Sequence, residues 1–282
     1  MRIFALAVSL SLALLPKPTL AQDASYVPDR RFVLTESTDL TGTDLQSIFD
    51  TTLESCESAC LANTKCMAIT FNSKANSCFL KSAVSDQTPY EGAYSGWVRS
   101  ANEGAAKTAL ARAGELAFLT QIDFDQALQQ ARSLASDHIT GDWSAEDLLA
   151  TATDANAQGD FLGASRAQGA ALNITDAPDQ WVTYADMLLS AAINAPDQAS
   201  DFNYRGLSAA VNGYLRADNQ NLQATALVTM ARALEANGRG RDMIPVLQLA
   251  QDIAARDDTA AMLDDAIGKY GFNISENRVD TE

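Results

Sequence analysis

All four cysteines of the chain fall between Cys56 and Cys78, inside the stretch CESACLANTKCMAITFNSKANSCFLK that runs to Lys81, with the spacing C-x3-C-x5-C-x11-C. Clustered cysteines serve metal binding, thiol catalysis or disulfide bonding. Structural zinc usually takes paired C-x2-C knuckles, which this spacing lacks. Thiol or serine catalysis takes a histidine as base, and His138 is the single histidine of the sequence. It precedes Thr140-Gly141, at an expected helix end, where a surface imidazole near the last carbonyls is the simpler role. Multi-histidine metal sites are excluded. No P-loop or Gly-rich dinucleotide turn occurs, and Gly238-Arg-Gly-Arg241 reads as a turn between helices. Asp257-Asp258 and Asp264-Asp265 are adjacent on helices, where neighbours face apart, so they read as solvated faces. The sequence therefore assigns no catalytic residue, no metal ligands and no cofactor, and the expectation is a protein that is not an enzyme.

The N-terminus sets the redox compartment. Arg2 opens a basic start, Ile3 to Leu15 is apolar, Pro16 and Pro18 break the run, and Thr19-Leu20-Ala21 precedes Gln22. That is the layout of a secretory signal peptide over 1–21, cut between Ala21 and Gln22. The apolar run is shorter than the roughly 18 to 20 residues that span a bilayer, so no membrane insertion is expected once the signal is removed. Loss of Arg2 and Lys17 takes the formal charge from −16 to −18. So acidic a chain lacks the basic footprint that nucleic acid or an anionic membrane demands. In a periplasmic or extracellular setting, four close cysteines read as two disulfides.

The elements around the cysteines narrow their pairing. Thr51-x-x-Glu54 reads as a capping box opening a short helix from about Thr52 to Ala62, which puts Cys56 and Cys60 one turn apart on one face. Cys66 to Phe71 reads as a strand, Asn72 to Ser77 as a polar turn, and Cys78 to Lys81 as the returning strand. A helix packed on that hairpin brings Cys60 to Cys66 and Cys56 to Cys78. A Cys56–Cys60 bond within one turn would distort the backbone. Arg31 to Thr35 and Ala93 to Val98 complete the expected sheet.

These residues resemble the PAN/apple domain. The likeness rests on Cys56 and Cys60 on a helix, Cys66 leading into Ala68-Ile-Thr-Phe-Asn72, Cys78-Phe-Leu-Lys81, and the closing Ser95-Gly-Trp-Val98. The resemblance implies the same pairing, in the minimal four-cysteine form without a bond joining the domain's ends. It also implies a small α+β domain over 29–100, preceded by a linker at 22–28, that binds a protein or glycan ligand and is not an enzyme. Its binding face varies, so Tyr90, Tyr94 and Trp97 are candidates only as aromatics of the module.

From Gly104 the chain turns Ala-, Leu-, Gln- and Asp-rich and reads as all-α over 104–271. Residues 101–282 carry 26 acidic and 12 basic side chains. Ala105 to Ser136 predicts one or two helices, with Asp123 or Asp125 as a cap. Beyond it, Asp160-Phe161, Asp201-Phe202 and Asp242-Met243 recur at an offset of 41, with Leu148, Leu189 and Met230, and Ala152, Ile193 and Leu234, in the same register. Each unit would be a helical hairpin whose second helix starts at an Asp cap. The turn and helix from Gly159 to Ala171 resemble the tetratricopeptide (TPR) pattern, though the period is longer. Residues 272–282 have the texture of a strand, and Asn173-Ile-Thr175 and Asn273-Ile-Ser275 match the glycosylation sequon.

As a whole, signal peptide, apple module, acidic helices with Ala233 to Gly238, and Tyr270-Gly-Phe272 look like the N-terminal region of bacterial alpha-2-macroglobulin family proteins. That likeness implies proteases as partners through a larger assembly, and the tail as the first strand of a further domain. The bait region and thioester motif of the family are absent. The alternative is a free-standing envelope or extracellular adhesion scaffold.

Overall fold

A computed structural model describes residues 26–101, 103–132 and 144–271. The signal segment, His138, Asn273 and the tail 272–282 lie outside the described residues.

The first unit is a sheet with one helix. Strand β1 (Arg30–Ile48) leads to helix α1 (Leu53–Ala62), and β2 (Ala68–Asn72) leads through a turn to the long β3 (Ser77–Ser100). β1 runs antiparallel to β3 along most of its length, from Arg30 opposite Ser100 to Ile48 opposite Cys78. Both strands are bent: β1 takes a positive φ at Ser37, and the register slips between Glu36 and Thr38 and again between Thr41 and Gln46. Such bulges bend a strand and sharpen its twist. β2 fills the inside of the bent ribbon. Its residues pair with Lys81 down to Ser77 on one side and with Trp97 down to Ala93 on the other, so it runs against both arms of β3.

The second unit is helical. It comprises α2 (Glu103–Ala113), α3 (Gln121–Arg132), α4 (Ala145–Ala157), α5 (Phe161–Thr175), α6 (Pro178–Asn194), α7 (Ala199–Arg216), α8 (Gln220–Ala236), α9 (Met243–Ile253) and α10 (Asp257–Tyr270). Local chemistry starts several of them. Ser144 caps α4 and Asp160 caps α5, Pro178 opens α6 without needing its missing N–H, and Asn219 caps α8. Gly159 and Gly238 supply the positive φ of two turns. Before α3, Thr120 and Asp123 form a reciprocal box, so Asp123 is the third-position partner of a Thr cap and not the cap itself.

Helix α7 is the centre. Every residue from Gly206 to Leu215 is buried, as a helix enclosed by its neighbours requires. Gly213 lets it approach α6, since a Cβ there would meet Val182 Cγ2 at 2.8 Å. Asn212, fully buried, donates to Ala127 O of α3 at 2.8 Å. Consecutive helices then pair as α4 with α5, α6 with α7, and α8 with α9.

The 41-residue register is kept only in part. Leu148, Leu189 and Met230 are buried, as are Ala152 and Leu234, but Ile193 is 81% exposed. Of the expected Asp caps, Asp160 caps α5, Asp201 lies inside α7, and Asp242 precedes α9 with its carboxylate on Arg239. Asp264 and Asp265 are exposed on α10, as solvated charges should be.

The units are joined by more than the chain. Within 22–28, Tyr26 stacks edge-on against Phe124 and Val27 is buried in the helical core, so this end is an anchor. Arg31 of β1 donates to Asn173 O, and its Nε lies 3.8 Å from Asp176 Oδ2. Asp176, in the left-handed conformation that ends α5, also faces Arg216 Nε at 3.0 Å and accepts from Trp181 Nε1 at 2.9 Å. Two buried guanidiniums thus share one carboxylate. Burial lowers the pKa of both Arg31 and Arg216, and Asp176 opposes that shift. The Asn173 side chain is 3% exposed and faces Arg31, so that sequon is closed in the folded protein.

Candidate binding site

Two covalent bonds fix the first unit. Cys56 bonds Cys78 and Cys60 bonds Cys66, with Cα separations of 5.6 and 5.3 Å, the same partners that the helix-on-hairpin reading brought together. The cap of α1 differs by one residue from the expected box. Thr52 accepts from Ser55 N at 3.2 Å, while Thr51 N donates to Asn76 O of the β2–β3 turn. The other end of α1 is held by Arg30, whose Nη1 donates to Leu61 O at 2.8 Å and Asn63 O at 3.0 Å, and whose Nη2 donates to Cys66 O. A guanidinium there satisfies terminal carbonyls and the negative end of the helix dipole together.

Period-two alternation gives the sheet two faces. One carries Phe32, Leu34, Ile69, Phe71, Cys78 and Leu80 against the cysteine face of α1. The opposite face carries Thr70, Asn72, Phe79, Lys81, Ala93 and Ser95. The bent middle of β1 reaches this face: Leu40 is fully buried, and its N–H donates to Thr70 Oγ1 at 3.0 Å. Thr70 in turn shares a hydrogen bond with Ser95 at 2.8 Å.

Between the bend and this face lies a cleft of about 360 Å3, lined by Asp39, Leu40, Thr41, Gly42, Asp44, Thr70, Asn72, Phe79, Lys81, Tyr90 and Ala93. Lys81 is 5% exposed, and its Nζ sits 2.7 Å from Asp44 Oδ1. Burying an ammonium demands such a partner. Asn72 spends its Oδ1 on the turn, accepting from Lys74 N at 2.9 Å and Ala75 N at 3.1 Å. Tyr90 stands at the rim, 45% exposed, with Lys74 Nζ 5.9 Å from its ring. Its segment is tied down by Ser73 N donating to Gly92 O at 2.8 Å. A concave site with a few convergent polar groups and an aromatic rim is built to hold a small ligand or a ligand side chain. A second hollow of about 340 Å3 lies by α6, α7 and α8, with Ile193 in its lining.

The three candidate aromatics separate. Tyr90 lines the cleft; Tyr94 is half-buried and packs on the module core; Trp97 is half-buried, pairing with Val33 and Ala68. Asp39, Asp44, Asn72 and Lys81 escaped the sequence reading. Lys81 carried the one usable signal, a cation in an otherwise apolar strand on the same face as Asn72. Elsewhere in the module, Glu57 on α1 has its carboxyl pushed up to about 7, by burial first and by Glu54 second. Among the described residues no cluster of His, Cys, Asp and Glu could hold a metal, and no helix is long and apolar enough to cross a membrane.

Comparison over the whole chain finds no matching curated protein and no matching solved structure. PAN domains bind proteins or carbohydrates, and their disulfides suit an extracellular or secreted setting. The helix held by two disulfides on an antiparallel sheet has a counterpart in one known family: residues 30–96 match the family model of the PAN domain.

Proposed function

We propose that this protein is an exported, non-catalytic recognition protein whose PAN domain captures a protein or glycan while the helical unit presents it. The observation that carries this reading is the polar, aromatic-rimmed cleft on a sheet that two disulfides hold rigid. Export rests on the signal-like segment 1–21, and the non-catalytic reading on the single histidine, His138, and on all four cysteines being held in disulfides. The helix pairs α4/α5, α6/α7 and α8/α9 support a TPR-like scaffold. The resemblance to the N-terminal region of bacterial alpha-2-macroglobulin family proteins gives a setting, the cell envelope, in which proteases are met through a larger assembly.

The test is a glycan array and an envelope pull-down with the oxidised mature protein. A ligand captured by the oxidised form and lost after reduction is the expected result. Hydrolase activity that His138→Ala abolishes would overturn the non-catalytic reading.

A further inference from the structure

The cleft under Tyr90 has a chemistry narrower than "protein or glycan". Its volume of about 360 Å3 lies at the small end of the ~300–1,000 Å3 typical of small-molecule sites. The strands of its floor offer no free edge, because β2 is paired on both sides and the Phe79–Lys81 arm of β3 lies between β1 and β2. A peptide therefore cannot enter by adding a strand there, and recognition falls to side chains.

Those side chains favour an uncharged polyol. Lys81 is already matched by Asp44, and Asp39 adds a further carboxylate, so the lining is net negative. An anionic ligand would meet repulsion. Donors remain on the Lys81 ammonium and on the Asn72 amide nitrogen, and acceptors remain on the two carboxylates. Hydroxyl groups that donate and accept at once match such a mixed set. The rings of Tyr90 and Phe79 supply the flat apolar surface that the C–H face of a sugar ring covers.

The geometry points to a neutral glycan as the ligand of this PAN domain, one hexose-like ring seated in the cleft beneath Tyr90. This rests on the recognition role proposed above and adds to it the site and the ligand class.

The probes are arrays of neutral and sialylated glycans, then calorimetric titration of the oxidised mature protein with the best neutral hit and with a Lys/Arg-rich peptide. Binding to a neutral glycan is expected, weakened ~10-fold or more by Tyr90→Ala, kept within ~2-fold by Tyr90→Phe, and unchanged by Met67→Ala on the exposed surface outside the cleft. Asp39→Asn tests the interior without touching the Lys81 pair, and is expected to weaken binding as Tyr90→Ala does. Thermal unfolding of each variant guards against misfolding. A neutral glycan that binds equally to the Tyr90→Ala and Asp39→Asn variants overturns the site and leaves the recognition role standing. Preference for sialylated glycans or for the basic peptide overturns the ligand class. Binding to no glycan and to no envelope component removes both.

Discussion

Arg30 joins four backbone carbonyls around the end of α1, from Cys60 to Cys66, so one exposed-looking residue at the start of β1 closes the helix onto the sheet. Arg30→Ala is expected to cost about 2 kcal/mol in urea unfolding of the oxidised protein, the range for hydrogen bonds from a charged donor. Arg30→Lys should recover little, since a point charge cannot span a fork of acceptors. Glu57 gives a pH signature. Its folded pKa of about 7 lies above the unfolded value, so between those values the folded state binds the extra proton. The contribution of Glu57 to stability should be greatest below about 4.5 and be lost as pH rises from there through 7. Glu57→Gln should flatten that slope in denaturation series from pH 5 to 8. Neither role was visible in the sequence, because each depends on residues brought near by the fold.

At the level of elements, the two disulfides differ in what they constrain. Cys56–Cys78 spans 22 residues and Cys60–Cys66 spans 6. In the chain-entropy account, replacing the first pair by Ser should cost ~3 kcal/mol and the second ~2 kcal/mol. Equilibrium unfolding of the two double variants checks the order. These bonds were legible because their determinants are local: a capped helix, a turn, and cysteines at helical and hairpin spacing. The bend of the ribbon was not legible. Thr41 to Ser47 and Ser85 to Glu91 are exposed and mostly polar, with Gly42 and Pro89 among them, and carry no strand signal in the sequence. Backbone pairing across β1 and β3 makes them strand, and pairing leaves no period in the side chains when both faces meet water. The cleft lies against that bend, so most of its lining was hidden with it.

Across the whole molecule, the contact between sheet and helices turns on the charge count at Asp176. Asp176→Asn leaves Arg31 and Arg216 without a counter-charge and should cost about 3–5 kcal/mol. Arg31→Met leaves Asp176 matched one-to-one with Arg216, and should cost clearly less. Differential scanning calorimetry should show the Asn variant melting earlier, with the module and helical transitions drawn apart. No pattern in the sequence links position 31 to positions 176 and 216. The way the module leaves its neighbours has a mechanical meaning. Asp29 O accepts from Ala101 N at 2.8 Å, and Arg30 faces Ser100, so both ends of the module emerge side by side. A load applied through them peels β1 from β3 pair by pair, starting at Arg30. Peeling halts where Cys56 is bonded to Cys78, and the segment between them carries no tension. In single-molecule pulling, reduction should therefore lengthen the extension released by the module, while an oxidised domain pays out only the residues outside Cys56–Cys78.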